Sequence, residues 1–92
     1  MKDTTHNPET DDHFAVLALH SALRRRGIAA TDGDLPASVQ AEHSGHRIIV
    51  HHADGRWWRP MHDAPHVTVP VARSGDEHAL ARDLVAELLG RL

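Results

Sequence analysis

Two dipeptides ten residues apart, Ser44-Gly45 and Asp54-Gly55, constrain this chain more than any other feature. Both sit between runs that alternate apolar and polar residues. Asp-Gly in that setting is among the strongest short-range signals for a two-residue hairpin turn. If both turns are minimal, the register of three successive strands is fixed, because a slip of one residue would invert every face. The first turn then sets His43 against His46, Glu42 against Arg47, Ala41 against Ile48 and Val39 against Val50. The second sets Ala53 against Arg56, His52 against Trp57 and His51 against Trp58. One face carries Val39, Ala41, Ile48, Val50, Trp57 and Met61, with His43 and His46 at one end and His52 at the other. The opposite face carries Ser38, Gln40, Glu42, Arg47, Ile49, His51, Arg56 and Trp58.

The flanking segments read as helices. From about Asp11 or Asp12, the residues Phe14, Val16, Leu17, Leu19, Ala22 and Leu23 form a wide apolar stripe at helical spacing. Arg24-Arg25-Arg26 suits the negative end of that helix. Gly27 offers a left-handed stop, with Ile28 folding back onto Leu23. Residues 29–36 read as a loop, and residues 60–66, with two prolines, as a connection. Val67, Val69 and Val71 alternate around Pro70, which predicts a fourth strand at an edge, or an extended tail of the sheet. Ser74-Gly75-Asp76-Glu77 has the form of a capping box. The last helix then runs from about Asp76 to Gly90 and buries Ala81, Leu84, Val85, Leu88 and Leu92, its stripe widened by Leu80 and Leu89. The expected fold is α+β, in the order α-β-β-β-(β)-α. It is an antiparallel meander of three to four strands with the N- and C-terminal helices packed on one face. One domain spans residues 11–92 behind a disordered arm, residues 1–10.

Composition narrows the function. Ninety-two residues hold one core, and a formal charge of −3 is the wrong sign for a generic nucleic-acid binder. With no cysteine there is no disulfide, thiolate metal site or Cys nucleophile. The polar N-terminus and the short apolar runs point to a cytoplasmic protein with no membrane association. No Gly-x-Ser-x-Gly elbow, nucleotide-binding glycine pattern or His-Glu-x-x-His helix occurs, so an enzyme is not expected.

Ten histidines are the compositional oddity, and protonating them would reverse the net charge. The excess of Arg over Lys and the lack of Tyr match the usage of a GC-rich bacterial genome, which enriches His without selecting for it. The functional reading of the same residues is a transition-metal or pH-responsive site for Zn or Ni. Its ligands would be His43 and His46 across the first turn, with His62 and His66 from the connection. Otherwise no cofactor is implied.

The α-β-β-β-α order resembles the double-stranded-RNA-binding domain, and Ser44-Gly45-His46 resembles part of that family's hairpin loop. The resemblance implies contact with RNA phosphates. That family opens its last helix with lysines, whereas this chain has Gly75-Asp76-Glu77-His78, which repels phosphate. Nucleic-acid binding through Arg24, Arg25, Arg26, Arg47, Arg56 and Arg59 therefore ranks third.

The leading expectation is a non-enzymatic interaction or regulatory module. Its contact surface is the helix-free sheet face, centred on Trp58 with Ile49, His51, Arg47 and Arg56. Exposed Trp and Arg are the residues that dominate interface energetics. The partner is a protein or a second copy in a homodimer.

Overall fold

The computed structural model describes residues 8–61 and 63–90. Helix α1 (Pro8–Arg25) leads into strands β1 (Ala29–Asp32), β2 (Ser38–His43), β3 (His46–Ala53), β4 (Arg56–Pro60) and β5 (Thr68–Arg73). Helix α2 (Glu77–Leu89) follows. The five strands form one antiparallel sheet in the order β1-β2-β3-β4-β5, a meander without crossovers. Both helices pack on the same face and share one core with Ala30, Val39, Ala41, Ile48, Val50 and Trp57. Among the described residues, no helix is long and apolar enough to cross a membrane.

The two turns position everything else. Ser44 and Gly45 have φ of 52° and 83°, and Asp54 and Gly55 have 54° and 71°. Two successive left-handed residues make a turn whose twist matches that of the flanking strands. Each loop is therefore minimal, and every pairing expected from the sequence occurs, including His43 with His46 and His51 with Trp58. Trp57 points into the core and Trp58 to the helix-free side.

The end of α1 is equally explicit. Gly27 takes a φ of 79°, its amide donates to the Arg24 carbonyl at 3.0 Å, and the Ile28 amide donates to the Leu23 carbonyl at 3.1 Å. This pair of bonds satisfies two of the orphan carbonyls of the last turn, while Ile28 and Leu23 are both buried in the core.

Four expectations are corrected. Ala29–Asp32, read as part of a loop, is a strand. It pairs with β2 from Ala29 opposite Glu42 to Asp32 opposite Val39 and brings the sheet to five strands, where the sequence suggested three or four. Helix α1 begins at Pro8, so residues 8–10 belong to it rather than to an arm; residues 1–7 lie outside the described residues. Phe14 and Leu17 are not core: they are 64% and 50% exposed, because α1 turns Ala15, Leu19, Ala22 and Leu23 inward. Met61 and Leu89 are likewise exposed, and Leu92 lies outside the described residues.

The capping box is corrected as well. The cap of α2 is Asp76, which makes no side-chain bond. The Glu77 Oε2 instead accepts from the Gly75 amide at 3.0 Å and from the Trp57 indole N–H at 2.9 Å. A buried indole N–H needs an acceptor, and Glu77 supplies it.

At the far edge, β5 carries Pro70 opposite Trp58, with a register shift between Trp57 and Trp58. A proline and a bulge on an edge strand discourage sheet-to-sheet pairing, since one donor is missing and the ladder is bent.

Candidate functional site on the helix-free sheet face

The face away from the helices presents one row across four strands: Ser38 opposite His51, His51 opposite Trp58, and Trp58 opposite Pro70. One step along, Gln40 stands opposite Ile49 and Glu42 opposite Arg47. All five residues singled out from the sequence therefore share this face. Ile49, His51 and Trp58 are half-buried at its centre, while Arg47 and Arg56 are exposed along it.

The face is less open than the alternation alone suggests. The Trp58 indole N–H donates to the Ala53 carbonyl at 2.9 Å, so the ring lies back along its own hairpin. Its polar edge is satisfied internally, and what it offers a partner is an apolar ring surface. Ser38 is buried although it is on this side. Its hydroxyl donates to the Leu35 carbonyl, and Gly33, in the connection between β1 and β2, sits so close that a Cβ there would be 2.3 Å from the Ser38 Oγ. That connection walls one edge of the patch and leaves Leu35 itself exposed.

The histidines are scattered. His43 and His46 face each other across the first turn. The β4–β5 connection that contains His66 returns to the same end of the sheet, with His66 exposed, and His62 lies outside the described residues. Among the described residues, no three His, Asp or Glu side chains come together as a metal site. The arginines are divided between the two sides. Arg24 donates to the Ala30 carbonyl, and Arg59 forms a bidentate pair with Glu87 at 2.7 and 2.6 Å. Those hydrogen bonds raise the Arg59 guanidinium above its ordinary value, against the lowering effect of partial burial. Arg47 and Arg56 lie on the helix-free side, with Arg73 on β5 opposite Arg56.

Sequence reasoning missed one buried constellation. His52 Nδ1 lies 2.6 Å from the Asp12 Oδ1, and its ring meets Trp57 edge-to-face with centroids 5.2 Å apart. An imidazole against a carboxylate is half of a hydrolytic triad, and Ser74 lines the same 670 Å³ cleft. The other half fails. His52 Nε2 is enclosed and has no hydrogen-bond partner among the described residues, so it meets no serine hydroxyl there. The signal for this pair is tertiary: Asp12 occupies a helix position facing β3, forty residues away in sequence.

Compared with known proteins, the chain matches no family model, no curated protein and no solved structure. Any functional reading therefore rests on the geometry above.

Proposed function

We propose that this protein is a non-enzymatic binding module that engages a protein partner through its helix-free sheet face. The observation that carries the reading is the contiguous patch of Ile49, His51 and Trp58 flanked by Arg47 and Arg56, on a sheet whose other face packs both helices. Burial of the indole face and of Ile49 supplies the apolar anchor. The two guanidinium groups select carboxylates at the rim through charge-assisted hydrogen bonds. The matching partner surface is apolar at its centre and acidic around it. A non-catalytic role is favoured because the nearest approach to a catalytic pair, Asp12 with His52, keeps its remaining nitrogen out of reach of a substrate.

A photo-crosslinking residue at Ile49, with the same residue at exposed Ala79 on α2 as the control, tests this reading in cells. A discrete adduct is expected from position 49 alone. Trp58→Ala should reduce its yield about tenfold or more, the effect of losing an interface anchor. The same variant should lose about 1–3 kcal/mol of stability, from its bond to Ala53 and the buried part of its ring, and stay folded. Equal crosslinking from both positions, or an adduct indifferent to Trp58→Ala, contradicts the reading.

A further inference from the structure

Helix α1 has two apolar faces, and its own chain uses one. Ala15, Leu19, Ala22 and Leu23 turn into the core. Phe14, Leu17, Ala18 and Ser21, at i, i+3, i+4 and i+7, form a second stripe on the outside, and all four are exposed. Phe14 is the single phenylalanine of the chain and, at 64%, the most exposed large apolar side chain among the described residues. We infer that this stripe packs against the same stripe of a second copy, with the two α1 helices antiparallel about a two-fold axis.

The stripe selects that occupant because it complements itself, which a two-fold interface requires. In an antiparallel pair centred between Leu17 and Ala18, Leu17 of one copy lies over Ala18 of the other, and Phe14 lies over Ser21. Each large side chain meets a small one, so the helices approach closely. The same register sets Asp11 of one copy beside Arg25 of the other on the same flank of the pair, twice over. Acidic Asp11 stands in the first half of the helix, and Arg24 and Arg25 in its last turn. The antiparallel arrangement therefore aligns opposite charges and opposed helix dipoles, while a parallel one would stack like on like. The pairing leaves the helix-free sheet face of both copies open, so it is independent of the reading given for that face and presents two such faces per assembly.

Sedimentation velocity of the full chain at rising concentration is expected to show one monomer–dimer equilibrium and no larger species. Leu17→Glu should weaken the dimer about tenfold or more, by burying a carboxylate at the axis, while leaving the thermal melt of the monomer in place. Asp11→Lys and Arg25→Glu should each weaken it about two- to five-fold, and the double variant should recover most of the loss, because the pair re-forms with its signs exchanged. A monomer at every concentration, a dimer untouched by Leu17→Glu, or a double variant weaker than both singles overturns the inference. So does a Leu17→Glu chain that fails to fold, which would place Leu17 in the core. A dimer dissolved by Trp58→Ala, with Leu17→Glu silent, would assign self-association to the sheet face and likewise overturn it.

Discussion

Trp57→Ala is expected to bring the domain to the edge of unfolding. The side chain is 0% exposed, the largest in the core, and its indole N–H is bound to a buried glutamate. Truncating a buried Trp costs about 3–5 kcal/mol in lost transfer energy and residual cavity. Losing the indole donor from the Glu77 carboxyl group adds about 1–3 kcal/mol. A domain of this length holds roughly 5–14 kcal/mol in total, so the loss is a third of its stability or more. Trp57→Phe separates the two contributions, since it keeps most of the volume and removes only the donor. Its cost should be the smaller part, about 1–3 kcal/mol. Urea unfolding of the three chains measures this directly. A Trp57→Ala midpoint close to that of the parent would mean that Trp57 is not the central core residue.

The second large effect belongs to the pair that docks α1 on the sheet. Asp12→Ala leaves the buried His52 Nδ1 without its carboxyl partner and should cost about 1–3 kcal/mol. His52 is 3% exposed, so the loss falls on an atom that is largely enclosed. Asp12→Ala combined with His52→Leu removes both polar groups. It should cost less than the sum of the single changes, because nothing buried is then left unsatisfied. Additive losses in that double-mutant cycle, read from urea midpoints, would show that the two side chains do not interact.

The same pair explains where the sequence was legible and where it was not. Register was readable because two minimal turns convert local residue identity into long-range pairing, and the Arg24–Ile28 helix ending was readable because it is entirely local. The rotation of α1 was not. Its apolar residues are numerous enough to define two faces, and periodicity does not say which one the sheet takes. The decision falls to Asp12, which continues the inward stripe of Ala15 and Leu19 and is anchored by a histidine on β3. Reading Phe14 and Leu17 as core was the consequence. Strand β1 escaped notice for a related reason: Ala29-Ala30-Thr31-Asp32 has little strand pattern of its own and is extended because the free edge of β2 offers it a ladder. Glu77 was assigned to a cap for want of any local sign that Trp57 would claim it. That Arg47, Ile49, His51, Arg56 and Trp58 share a face follows from alternation once the register is set. That the Trp58 N–H turns back to Ala53 depends on side-chain rotation that no alternation pattern encodes.

Hydrogen exchange of the two indole N–H groups, followed in one NMR sample of the unmodified chain, tests the opposed placement of Trp57 and Trp58 on which the binding face depends. Trp57, enclosed and bound to Glu77, should exchange only through global unfolding, at a rate that tracks the stability measured in urea. Trp58, half-buried on the open side, should exchange far faster through local opening. Equal protection of the two, or the reverse order, would mean that the indole assigned to the partner is part of the interior.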